Sequence, residues 1–279
     1  MSKRNTWENK QSARERLKAE RVQQAKKDKL RRQLVVGGAV VAVIAIAAGI
    51  GVAVSNMSGD DESGGGKVWS AAAKKKLVAP ANTSGKDGLS IVIGDKKAEH
   101  TLDVYEDPRC PACAQFEQTT GDVLLKDIKD GKYKASFTIA GFIDKVLTPK
   151  GNGSKNGTSA LGAALNVGKQ EFLDYKTALY SVKNHPAETS DTFADDAELI
   201  KIAQQVEGLK GNKTFEKAVK NGTYDKWALE MNKQFDKSGM QGTPSFKLDG
   251  KKLQKDAKGT APSTPEEFNS LVDKEIAAK

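Results

Sequence analysis

The sequence predicts an α/β domain, ordered βαβ, helical block, ββα, set behind a single membrane-spanning helix. Three observations carry that prediction. An uncharged run of 21 residues lies at 34–54. Strand-like segments bracket a helix-periodic one between residues 90 and 143. The stretch from Thr158 to Ser238 then shows almost no strand signal before strand character returns at Pro244.

The chain opens with a basic tail. Residues 1–33 hold 12 Lys/Arg against 4 Asp/Glu, whereas the remaining 246 residues hold 33 against 32, so the net charge of +9 belongs almost wholly to the tail. The rest has no one-sided charge with which to track a phosphate backbone, and no nucleic-acid partner is expected. The run Leu34–Val54 is long enough, at about 32 Å as a helix, to cross a hydrocarbon core of about 30 Å. Its length, and the long polar segment before it, favour an uncleaved signal anchor over a cleavable signal. Lys26, Lys27, Lys29, Arg31 and Arg32 precede it, and Asp60, Asp61 and Glu62 follow it. The positive-inside rule then places the N-terminus in the cytoplasm and the remainder of the chain outside, on a single-pass cell-membrane protein.

Residues 55–88, which include the run GDDESGGG, are expected to be a flexible linker, and 89–279 the folded domain. Ser90–Ile93 and Thr101–Tyr105 read as strands. Cys113, Phe116, Thr120, Val123, Leu124 and Ile128 keep a helical period, and Lys134–Ile143 reads as the next strand. Ala160–Val167, Gln170–Val182, Phe193–Glu207 and Thr214–Phe235 read as three or four helices, placed as an insertion at about 158–238. Pro244–Leu248 and Lys251–Leu253 flank an Asp249-Gly250 hairpin turn. Thr264-Pro265-Glu266-Glu267 opens a final helix. Gly151-Asn152-Gly153-Ser154-Lys155-Asn156-Gly157 imitates a dinucleotide loop, but its spacing and the lack of a second βαβ half make it a surface loop.

Two cysteines exclude a disulfide-stapled scaffold, and with His100 and His185 as the only histidines a closed zinc site is not expected. Cys110-Pro111-Ala112-Cys113 stands where a helix begins. There the first thiol meets unpaired N–H groups and the positive end of the helix dipole, both of which favour thiolate. Cys110 is therefore the expected nucleophile. Cys113, one turn in, is expected to be more buried and to resolve the mixed disulfide. Alone, the pair also fits an inert structural disulfide or half a metal site.

With Gly242-Thr243-Pro244 before a strand and helices between, the sequence resembles the thioredoxin superfamily, and more closely its DsbA-like extracytoplasmic thiol–disulfide oxidoreductases, over Leu89–Lys279. The resemblance implies a thioredoxin-like fold with a helical insertion. It makes Pro244 a cis proline facing the cysteines, with the Thr243 backbone presented to a bound segment. Pro111, Ala112, Thr243 and Pro244 are thereby substrate-binding candidates beside catalytic Cys110 and Cys113. Two departures stand out: Ala112 replaces a histidine common in such oxidants, and Val104 occupies the place of a buried carboxylate six residues before the first cysteine. Glu106 and Asp107 lie nearby and would raise the Cys110 pKa on approach. The Cys110 pKa is thus expected between about 3.5 and 8.5, and the pair is expected to be a milder oxidant than DsbA.

The expected function is oxidation of exported cysteine-containing proteins, with a membrane redox partner resetting the pair. No cofactor or metal is expected beyond the Cys110–Cys113 disulfide itself. Isomerase and reductase roles of the same fold, or an anchored interaction module with a structural disulfide, are the alternatives.

Overall fold

The computed structural model describes residues 66–146 and 150–278. The expected anchor and its basic flank lie outside the described residues, among which no helix is long and apolar enough to cross a membrane. Strands β1 (Ile91–Ile93), β2 (Thr101–Glu106), β3 (Lys134–Ile139), β4 (Ser245–Leu248) and β5 (Lys251–Lys252) form one sheet in the order β1-β3-β2-β4-β5. The pair β2–β3 is parallel and the other neighbours are antiparallel. A parallel pair needs a crossover, and helix α2 (Pro111–Lys129) supplies it.

The register sorts side chains by face. Leu102, Val104 and Glu106 of β2 lie opposite Ala135, Phe137 and Ile139 of β3, and Phe246 and Leu248 of β4 pair with Val104 and Leu102. All eight are buried. Helices α2 and α9 (Pro265–Ala277) cover part of this face. Phe116, Phe246 and Phe268 meet there with ring centroids 4.6–5.7 Å apart. The other face carries Asp103, Ser136 and Lys247, only half-buried, while Tyr105 near its end meets Phe235 of α8 (Asp225–Lys237).

The helical insertion comprises α3 (Ile143–Val146), α4 (Gly153–Val167), α5 (Lys169–Tyr180), a 3₁₀ turn (Thr192–Ala194), α6 (Asp196–Ala203), α7 (Lys213–Lys220) and α8. Helix α4 is buried over most of its length and is the insertion's axis. Phe172 of α5 packs edge-on to Phe137 at 5.9 Å, which joins insertion and sheet in one core.

Four expectations are corrected. The third strand stops at Ile139, where the chain leaves the sheet and turns into α3 at Ile143. The insertion therefore starts earlier than residue 158. The glycine run is no surface loop: α4 begins at Gly153, and Gly153, Ser154 and Gly157 are buried. The segment Thr214–Phe235 is two helices, because the chain turns at Asn221–Tyr224, with Gly222 at φ +55°. Finally, the segment expected to be linker is folded from residue 66. Helix α1 (Gly66–Lys74) sets Trp69 and Ala72 against Ala228, Lys155 lies over the Trp69 ring, and the Asn82 side chain donates to Leu165 O at 2.8 Å. Trp69 and Ala72, at i and i+3, give α1 an apolar stripe that water cannot cover.

The Asp249-Gly250 turn takes positive φ at both residues (+50° and +87°), the geometry of a tight hairpin. Thr264 caps α9 by accepting the Glu267 N–H at 3.3 Å.

Candidate active site

Cys110 is the N-cap of α2. Its extended backbone (φ −75°, ψ 115°) leaves the helix open at that end, Pro111 takes the first turn without needing an N–H partner, and the Cys113 N–H donates to Cys110 Sγ at 3.4 Å. The two cysteines are unbridged in this structure. Across the site, Cys110 Sγ donates to Thr243 O at 3.2 Å, and the Thr243–Pro244 peptide is cis. The fold thus brings Cys110, Cys113 and Thr243 into contact range, though 133 residues separate Cys110 from Thr243. Pro111, Ala112 and Pro244 are half-buried around them.

The expected difference in burial is absent, since each cysteine is 2% exposed. The two differ in ionisation instead. Burial opposes charge on both. At Cys110 it is outweighed by the Cys113 side chain, the Thr243 side chain and the Cys113 N–H, which hold the thiol below its ordinary value. Asp107 pulls the other way, in the direction expected of a nearby carboxylate. At Cys113, burial, the Cys110 sulfur and the charge of Glu106 all push the thiol well up. Of the two, Cys110 therefore gives up its proton more readily than Cys113.

The residue that sequence reasoning misplaced is Glu106. Val104 is buried in the core, and two residues further along the same strand face the Glu106 carboxyl lies 5% exposed beneath the helices. Its Oε2 is 3.5 Å from Lys176 Nζ, which in turn is 2.5 Å from Glu117 Oε2. Thr177 Oγ1 donates to Glu117 Oε1 at 2.6 Å. Burial lifts Glu106 to about 7, Lys176 pulling it down and Glu117 up. Burial works against the charge on Lys176, but the two carboxylates outweigh it and keep it an ammonium. Period-two alternation through Leu102, Val104 and Glu106 was the signal that could have found this carboxylate. Lys176, on the insertion, left none.

His100 Nδ1 is 2.8 Å from Asp249 Oδ2 at the sheet's other end. His185 is lowered to about 4 by burial and stacks on Tyr180, which packs against the cysteines. Among the described residues no three His, Cys, Asp or Glu gather as a metal would need.

The family model described as Thioredoxin matches residues 86–274, well over half of the chain. The chain belongs to the thioredoxin family. Within this family its fold is similar to that of the disulfide bond oxidoreductase DsbG of Mycobacterium tuberculosis, at TM-score 0.55 and 21% identity over 68% of this chain and 88% of that one. It is similar also to MdbA, a thiol–disulfide oxidoreductase from Actinomyces oris, at TM-score 0.54 and 20% identity over 71% and 90%. This chain thus has a thioredoxin-like α/β fold with a helical insertion. A curated relative, the serine/threonine-protein kinase PknE of M. tuberculosis, is 26% identical over 121 residues, which are 42% of this chain and 20% of the kinase.

Proposed function

We propose that this thioredoxin-family chain is a membrane-anchored, extracytoplasmic thiol–disulfide oxidoreductase that introduces disulfides into exported cysteine-containing proteins. The observation that carries the reading is the opposed ionisation of two equally buried cysteines on the first turn of α2, with Thr243 O 3.2 Å from the Cys110 sulfur. The fold's likeness to DsbG and MdbA supports the reaction class. The uncharged run at 34–54 and its basic flank support the location.

In the oxidising direction a substrate thiolate attacks Cys110 Sγ of the Cys110–Cys113 disulfide. The Cys110–substrate bond forms as the Cys110–Cys113 bond breaks, and Cys113 departs with the electron pair. Its high proton affinity calls for a proton, and Glu106, which titrates near neutrality and acts on Cys113 through space, supplies it. A second substrate thiolate then attacks the substrate sulfur. The Cys110 thiolate leaves, stabilised by the Cys113 N–H and the Cys113 thiol, and two electrons have passed to the enzyme. A membrane redox partner removes them. Half-buried Pro111, Ala112 and Pro244 border the substrate, whose backbone is offered the Thr243 edge.

The test is trapping in spheroplasts. Cys113→Ala accumulates mixed disulfides between Cys110 and exported proteins, whereas Cys110→Ala accumulates none and loses exchange altogether. Trapping through Cys113, or slow ordinary thiol reactivity in the parent chain, rejects the reading in favour of an interaction module.

A further inference from the structure

Immediately ahead of Cys110 the chain turns through Asp107–Cys110, closed by the Cys110 N–H donating to Asp107 O at 2.9 Å. The turn holds two buried charged side chains, Asp107 at 0% exposure and Arg109 at 2%. Buried charges must be held by partners. For the Arg109 guanidinium every partner among the described residues comes from the helical insertion. Its Nη1 lies 3.1 Å from Asp144 Oδ1 and 3.0 Å from Asp191 Oδ1, and its Nη2 donates to Ser190 O at 3.4 Å. The Asp107 carboxylate accepts from Ser154 Oγ at 2.6 Å, the Ile143 N–H at 3.2 Å and, within the turn, the Arg109 N–H at 3.0 Å.

The two acidic partners are anchored by the start of α4. Asp144 accepts the Ser154 and Lys155 N–H groups at 2.8 and 3.0 Å, and Asp191 accepts those of Asn152 and Gly153, both at 2.9 Å. These are the N–H groups a helix start leaves without intrahelical partners. Two glycines of the run allow the approach. A Cβ on Gly153 would lie 2.7 Å from Asp191 Oδ1 and 3.1 Å from Arg109 Cδ, and one on Gly157 would lie 2.9 Å from Pro108 Cβ. The segment that imitates a phosphate loop in sequence is a socket for the residues that lead into Cys110.

We propose that Arg109 is a positioning residue for Cys110. Clamped between Asp144 and Asp191 on the glycine-lined start of α4, it fixes the turn that presents the Cys110 sulfur to the α2 N-terminus. It also pairs with Asp144, the carboxylate that acts on Asp107 beside that sulfur. The inference rests on the reading of Cys110 as the nucleophile, and it makes the insertion part of the redox machinery. Among the described residues, the charged and titratable groups that bear on Cys110 include Asp107, Cys113 and Tyr180, with Asp144, Arg109 and Asp191 behind Asp107. Removing Arg109 leaves their balance more negative and the turn unclamped, and both changes disfavour the thiolate.

The experiment uses the purified full-length chain in detergent. Alkylation rate against pH reports the Cys110 thiolate, equilibrium with glutathione reports the couple, and the melting temperature reports the fold. Arg109→Met is expected to cut the alkylation rate, at a pH below the parent's titration point, by about tenfold, and to make the couple less oxidising by a similar factor. Gly153→Ala, which changes no charge, moves both readouts in the same direction. If Arg109→Met does not fold, Gly153→Ala decides. Variants that melt earlier while keeping the parent's alkylation profile and glutathione equilibrium overturn the proposal, since Arg109 is then structural only. A parent chain lacking a fast-reacting thiol refutes instead the reading beneath it.

Discussion

Two buried charge clusters flank the cysteines, and they differ in how completely their carboxylates are engaged. Behind Cys113, Glu106, Lys176 and Glu117 come from β2, α5 and α2 and meet through side chains alone, with Glu106 Oε1 left without a hydrogen-bond partner among the described residues. Ahead of Cys110, the carboxylates of Asp107, Asp144 and Asp191 each accept at least two hydrogen bonds, most of them from backbone N–H groups. Burial lifts both Glu106 and Asp107 to about 7, so titration alone does not distinguish them. Saturation does. A carboxyl with an open oxygen can exchange a proton with a neighbour, whereas one whose oxygens are tied to the backbone holds the chain in place.

The largest expected effect breaks the first cluster. Lys176→Met leaves Glu106 and Glu117 buried without their cation, and at pH 8 should cost about 3–5 kcal/mol in urea unfolding. At pH 5, where Glu106 binds a proton, the cost should shrink. Equal losses at both pH values would show that the lysine's packing over Phe137 and Tyr180, and not its charge, is what matters.

Glu106→Gln sharpens the contrast. The folded-state value of about 7 lies above the ordinary 4.5, so the parent's stability from this group is complete below pH 4.5 and is lost as pH rises through 7. The glutamine variant lacks that slope. Relative to the parent it should gain about 1–3 kcal/mol between pH 4.5 and 8. With the negative charge gone, the Cys113 thiol should ionise at lower pH, and the exchange step that needs its proton should slow by about a hundredfold in stopped flow. An unchanged exchange rate would remove Glu106 from the proton path.

A smaller effect is expected at Ala112, which belongs to neither cluster. Ala112→His adds a donor beside Cys110 and should make the couple more oxidising by up to about tenfold against glutathione. If the clamp ahead of Cys110 already sets the thiolate, the change will be slight.

Much of the site was legible before any coordinates. A thiol pair three apart with proline inside places Cys110 at a helix start, because only an N-terminal turn tolerates proline there and leaves N–H groups for the sulfur. The chain agrees with Cys110 as N-cap and Pro111 in the first turn. The glycine run misled because glycine reads locally as loop, whereas here Gly153 and Gly157 serve close packing inside a helix. Helix α1 was hidden behind GDDESGGG, whose composition reads as a linker in the sequence and which ends just before the first apolar stripe.

Local chemistry in the sequence therefore sufficed for the βαβ and ββα halves, the helical block and the place of the cysteine pair at a helix start, since alternation, helical period and caps act over a few residues. The charge partners required the folded chain. Arg109 meets Asp144 35 residues on, and Lys176 meets Glu117 59 residues away. A charge in a sequence carries no address. Which of many lysines and aspartates loses its water, and beside what, is decided only when sheet register and helix packing bring distant segments into one dry interior, where an unpaired charge is too costly to keep.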